Sequence, residues 1–182
     1  MKKQIQIAII LFSTYVYSDV IKNIATPIIF ETNNQDSLIG LKYTLSYERK
    51  ISQKLSLEMN ANYTYCGNFS EDAQFIRWES YGVNGGFIYN AYSKWIFDLN
   101  LSQSIGYSHI YGEKEAWISM TGEGPSLPYE KINDNRVYIQ SSIGIRSKFF
   151  KEILIVDVTP LNIALGYKYN SIYPSLSLGF QF

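Results

Sequence analysis

The chain has 182 residues, 16 basic and 16 acidic side chains, one histidine and one cysteine. That length suits one domain with a core of its own, and zero net charge gives no basic surplus for gripping nucleic acid. A single cysteine makes neither an internal disulfide nor a zinc or iron–sulfur site. The unusual numbers are 16 Tyr, 10 Phe and 3 Trp.

Residues 1–18, MKKQIQIAIILFSTYVYS, read as a signal peptide. Lys2 and Lys3 form its positive start, Ile7 to Phe12 its apolar centre, and Val16 and Ser18 supply small residues at a cleavage site. The uncharged stretch from Gln4 to Ser18 is short of the ~20 residues a spanning helix needs. Cleavage would leave 19–182, with 14 basic against 16 acidic groups and a net charge of −2.

After residue 18 the chain alternates with period 2. Ser37–Glu48 sets Ile39, Leu41, Tyr43, Leu45 and Tyr47 against Gly40, Lys42, Thr44, Ser46 and Glu48. Lys54–Tyr65, Ser80–Tyr89, Trp95–Tyr107, Asn135–Arg146, Ile163–Tyr169 and Leu176–Phe182 repeat the pattern. Only a β-strand puts residues i and i+2 on one side, so these are strands with one apolar and one polar face. A soluble barrel would turn the apolar face inward and a membrane barrel outward. Three features favour the membrane. The polar face is crowded with Gly, Ser, Asn and Thr, small enough for a narrow lumen. Aromatics gather near strand ends, with Tyr47, Tyr89, Tyr92 and Trp95 for one rim and Tyr63, Tyr65, Trp78, Tyr81, Tyr107 and Tyr169 for the other. The strands have the 9–11 residues that a tilted strand needs to cross a bilayer.

The chain ends Leu176-Ser177-Leu178-Gly179-Phe180-Gln181-Phe182. This resembles the C-terminal strand of bacterial outer-membrane proteins, which implies that Leu176, Leu178, Phe180 and Phe182 are read by the barrel-assembly machinery. Residues 19–182 as a whole resemble the small barrels of the OmpA membrane-domain and opacity-protein type. The expected fold is therefore all-β, an eight-stranded antiparallel up-and-down transmembrane β-barrel in the bacterial outer membrane. Short connections at Arg49–Gln53, Asn90–Lys94 and about Ser147–Lys151 fall on the periplasmic side, and long ones at 66–79 and 108–134 outside. The count reaches eight only if Val20–Phe30, interrupted by Pro27, is a strand. It also requires Glu152–Tyr169 to be one strand with a bulge or kink at Thr159–Pro160, where the apolar parity flips.

Inside eight strands there is room for side chains but not for an aqueous pore. Lys42, Arg146 and Lys168 against Glu48, Glu58 and Asp98 are therefore expected to form a buried charge network filling the lumen. His109 is the one histidine, with Ser108 beside it and Glu113 near, a set of the type used by outer-membrane lipid A deacylases and acyltransferases. The deacylases resemble one another in a His-x-Ser pattern, whereas Ile110 and Tyr111 follow His109 here, and adjacent Ser108 and His109 would point to opposite sides of a strand. The 108–134 segment carries net charge −3 and displays Tyr111, Trp117, Ile118, Met120 and Tyr129. These residues either contact a host surface, protein or glycan, or pack as a lid, or belong to strands that run beyond the membrane. No EF-hand spacing occurs, and no metal or cofactor site is expected. The leading functional reading is a monomeric, non-enzymatic barrel embedded in outer-membrane lipid. It would serve surface contact or envelope integrity by binding a host or cell-surface ligand, with no nucleic-acid partner. The rivals are a lipid A-modifying hydrolase or acyltransferase using His109 and a secreted lipocalin-like carrier. Against the carrier, Trp78, Trp95 and Trp117 all lack a Gly two residues earlier, and the chain ends in a strand pattern where a lipocalin ends in a helix.

Overall fold

The period-2 segments become eight strands in a computed structural model that describes residues 19–33, 37–67, 76–115, 129–167 and 169–182. Residues 1–18 lie outside the described residues. The strands are β1 (Asp19–Asn33), β2 (Ser37–Lys50), β3 (Leu55–Gly67), β4 (Ile76–Lys94), β5 (Phe97–Glu115), β6 (Tyr129–Phe149), β7 (Leu154–Gly166) and β8 (Tyr169–Gln181). Each pairs antiparallel with the next, and β8 returns to β1, closing the barrel. Asp19 and Phe182 complete the seam through reciprocal backbone bonds of 3.1 and 3.0 Å.

Across the ladder one way, Asn23 leads through Leu45, Ala61 and Val83 to Tyr107. The other way it leads through Leu178, Val156 and Ser147 to Phe97. The two routes end ten residues apart on β5, a shear that tilts the strands by about 40° and leaves an interior just wide enough for side chains.

The apolar faces point out. Leu45, Met59, Val83, Ile105, Val137, Ile143, Leu165, Leu176 and Phe180 are all exposed on the outer wall, whereas Lys22, Ser46, Glu48, Asn60, Asn84, Ser104 and Arg146 are buried inside. Water would penalise such a wall, while hydrocarbon penalises only unpaired backbone, which closure removes. The molecule is a membrane-spanning β-barrel. The lipocalin-like arrangement, which needs the apolar face inward, is excluded.

Pro27 and Pro160 each mark an added residue. Register shifts in β1 between Thr26 and Ile29 and in β7 between Thr159 and Asn162 insert one residue against the neighbouring strands. A proline donates no ladder hydrogen bond, so a bulge is where a strand accommodates it. The β7 bulge restores Leu161 and Leu165 to the outer face after Val158, which accounts for the parity flip. Pro174 of β8 lies level with both bulges, and no pairing spans residues 26–29 of β1 and 173–175 of β8.

Several expected boundaries move. The second short turn is Trp95–Ile96, because β4 continues to Lys94 past a bulge between Asn90 and Tyr92. The connections expected at 66–79 and 108–134 shrink to 68–75 and 116–128, since β3 to β6 run on. Trp78, expected on a rim, is inside the barrel at 1% exposure.

Candidate functional site

Three layers fill the lumen, from the end of the short turns (the turn end) to the opposite, loop end. The first is ionic. Lys22 on β1 donates to Glu48 at 2.9 Å and to Glu58 at 3.0 Å, and lies 3.5 Å from Asp157. Arg146 on β6 grips Glu48 at 3.0 and 2.6 Å and Asp157 at 2.8 and 3.0 Å, one fork on each carboxylate. Ser46 donates to Glu58 at 2.9 Å. Such pairing is what makes charge tolerable away from water.

The predicted charge set is only partly brought together. Glu48, Glu58 and Arg146 meet, joined by Lys22 and Asp157, which sequence reasoning did not include. Asp98 pairs instead with Lys148 at 2.8 Å, nearer the turns. Lys42 sits higher, donating to the Tyr173 hydroxyl at 2.6 Å with its ammonium 4.5 Å from that ring's centre. Lys168 lies outside the described residues.

The second layer is made of amides and hydroxyls. Asn62 donates to Asn84 at 3.3 Å, Asn84 to Ser104 at 2.9 Å, and Tyr173 to Gln140 at 2.9 Å. Arg136 donates to Ser171 at 3.3 Å and lies over the Tyr138 ring. Between these layers is a polar cavity of about 70 Å³, far below the few hundred Å³ of a small-molecule site.

The third layer, at the loop end, is apolar. Ile29, Leu38, Cys66, Trp78, Ile110 and Tyr173 form a buried cluster with Ile132 against it. Gly112 makes the room: a Cβ there would lie 2.4 Å from the Trp78 Cβ and 2.3 Å from the Arg77 carbonyl oxygen.

At this height the wall inverts. β4, β5 and β6 have 19, 19 and 21 residues, well beyond a crossing. Past the apolar band their outer faces carry Arg77 and Glu79 on β4, Tyr111 and Glu113 on β5, and Lys131 and Asn133 on β6, in adjoining rows. Polar outside and apolar inside is the arrangement of a soluble β-structure, so this raised wall stands in water. Below it runs a row of Tyr43, Tyr63, Tyr81, His109 and Asn135 across β2 to β6. The Tyr63 and Tyr81 rings are 5.1 Å apart. Such amphipathic rings mark a membrane–water boundary.

His109 therefore belongs to the boundary row. It is exposed on the outer wall, its Nδ1 3.0 Å from the Asn135 Oδ1, which also accepts from the Tyr107 hydroxyl at 2.6 Å. Ser108 is 3% exposed and faces the lumen. The two side chains are on opposite sides of the wall, so no nucleophile–base pair is assembled from them. Glu113 is two rows above His109, level with Arg77 and Lys131. Of the predicted contact residues, Tyr111 is outward on β5, Tyr129 opens β6, and Trp117, Ile118 and Met120 lie outside the described residues. Leu176, Leu178, Phe180 and Phe182 form the outer face of the closing strand.

No protein-family model matches the sequence, and no curated protein matches it. Solved structures do. Neisserial surface protein A aligns with a TM-score of 0.63 at 12% identity, over 91% of this chain and 97% of its own. Ail, the attachment invasion locus protein of Yersinia pestis, aligns at 0.60 and 10% identity, over 91% and 99%. A major outer membrane protein from Thermus thermophilus aligns at 0.63 and 6% identity, over 92% and 100%. At these identities the likeness is one of architecture, and it agrees with the closed ladder and the outward apolar faces: the chain has the fold of the small eight-stranded outer-membrane barrels.

Proposed function

We propose that the chain is a non-enzymatic barrel of the bacterial outer membrane, exported by way of residues 1–18, that acts in contact between the cell surface and a ligand outside. The observation that carries this reading is the raised wall of β4 to β6 above a plugged lumen. Among the described residues the ionic layer and the Trp78–Ile110 cluster fill the lumen at two levels, which favours the wall and its loops as the exchange surface. Arg77, Glu79, Tyr111, Glu113 and Lys131, with Tyr65 of the adjoining β3 beneath Arg77, give that wall aromatic faces beside both charge signs, a composition suited to protein or glycan contact. Ail, a barrel of the same fold, carries attachment and invasion in its name, which agrees with this use of the scaffold.

The test is adherence of cells carrying the wild-type barrel, no barrel, or the R77A/Y111A variant to cultured host cells and to immobilised matrix glycans. Contact predicts adherence that falls on deletion and falls equally in the variant, with heat-modifiable gel mobility retained. Equal adherence in all three strains would overturn it. Detergent sensitivity on deletion, rescued fully by R77A/Y111A, would instead assign the barrel to envelope integrity.

A further inference from the structure

Along β5 and β6 the lipid-facing residues are Phe97, Leu99, Leu101, Gln103, Ile105 and Tyr107, and Val137, Ile139, Ser141, Ile143 and Ile145. Two of them are polar, both at mid-band, and they are register partners. The Ser141 hydroxyl donates to the Gln103 Oε1 at 2.8 Å. That bond satisfies the hydroxyl and one lone pair of the amide. Among the described residues no hydrogen bond runs from the Gln103 amide N–H groups, and on this exposed lipid face hydrocarbon offers them no acceptor.

We propose that this pair is the centre of a dimer interface, and that its occupant is a second copy of this chain. A primary amide is self-complementary: two such groups related by a two-fold axis exchange N–H···O=C bonds reciprocally. An axis along the membrane normal keeps both loop ends on one side of the membrane and holds both copies of Gln103 at one depth, as an isologous contact requires. Ser141 fixes the amide plane by occupying one lone pair, which leaves the other for the partner. Leu101, Ile105, Ile139 and Ile143 surround the pair with exposed apolar surface that would pack around the axis. Asn23 supplies an internal comparison. It is a lipid-facing amide on the opposite wall, with Leu45 and Leu178 as its cross-strand partners and no hydroxyl to orient it. This dimer replaces the expectation of a monomer and is independent of what the raised wall binds.

The experiment is sedimentation equilibrium of the refolded full barrel in density-matched detergent, with disulfide trapping of Q103C in lipid vesicles. Cys66 is fully buried in the lumen cluster and serves as the silent background. The expected results are a reversible dimer, dissociation about tenfold easier in Q103L, no change in N23L, and trapped dimer from Q103C but not from wild type. Leucine at 103 continues the apolar band, so Q103L should fold, and unboiled gel mobility verifies this. A protein monomeric at every protein-to-detergent ratio, a dimer indifferent to Q103L, or one weakened equally by N23L would overturn the proposal.

Discussion

Replacing Arg146 by methionine removes the group that ties two carboxylates together inside the barrel. In the wild type two cations, Lys22 and Arg146, face three carboxylates, Glu48, Glu58 and Asp157, for a local charge of −1. R146M makes it −2 and strips four hydrogen bonds of 2.6 to 3.0 Å from Glu48 and Asp157. Those carboxylate side chains are 3% and 13% exposed, so water replaces the lost bonds only in part. Breaking a buried pair by removing one partner costs about 3–5 kcal/mol. Lys22 already spans all three carboxylates and cannot add the missing fork geometry, which keeps the expected loss within that range. The assay is urea unfolding in vesicles followed by tryptophan fluorescence, with unboiled gel mobility to verify closure before the titration. The double variant R146M/E48Q removes the excess charge and should recover part of the loss, so the two substitutions are non-additive. A loss under about 1 kcal/mol for R146M, or strict additivity with E48Q, would refute the claim that the network acts as a unit.

Three further outcomes follow from the same geometry. I105R places a cation at mid-band on the lipid face and should cost about 2–4 kcal/mol in vesicles, whereas an aqueous outer wall would leave stability unchanged. G112V forces a branched side chain against Trp78 and the Arg77 carbonyl; it should cost about 1–3 kcal/mol and raise acrylamide quenching of the buried indole, and unaltered quenching would count against the plug. H109A should leave lipid A masses identical to wild type, because Ser108 faces the lumen; any shifted acyl pattern would revive the enzyme reading.

How far the sequence was legible depended on whether alternation survived. In β2 and β3 each step is regular, and in the central parts of β5 and β6 only Gln103 and Ser141 break the apolar face, so the two faces were readable residue by residue. In β1 and β7 the bulges at Pro27 and Pro160 shift parity partway along, which blurred the pattern. The Lys22 partner of Glu48 was missed for that reason, because the interrupted strand gave no secure inner face. Asp157 was more accessible: its neighbours Leu154, Val156 and Val158 mark the outer face, and the alternate position between them points inward. The strand ends misled for a different reason. Above the bilayer the solvents on the two sides of the wall change places, so Trp78, Ile110 and Ile132 turn in while Arg77, Glu113 and Lys131 turn out. The period persists but its meaning reverses. Trp78, expected on a rim, and Ile110, within the segment expected as the 108–134 loop, are thus part of the plug's own core.

The prolines of β1 and β8, Pro27 and Pro174, make the closing seam uneven. β1 and β8 are the most distant segments in sequence, so their pairing carries the largest loop-closure cost of any ladder here. Pro27 of β1 and Pro174 of β8 divide that pairing into two short zippers, Val20–Ala25 with Leu176–Gln181 near the turns, and Phe30–Asn33 with Tyr169–Ile172 near the loops. The lower zipper contains the terminal aromatic strand and can lock first, because it needs no correct placement of the bulges. The upper one then sets the plug, since Ile29 and Tyr173 reach the Trp78 cluster from either side of the gap. The interrupted ladder predicts that barrel closure and sealing of the lumen are separable, with the proline level as the hinge between them and the place where amide exchange should be fastest within the wall.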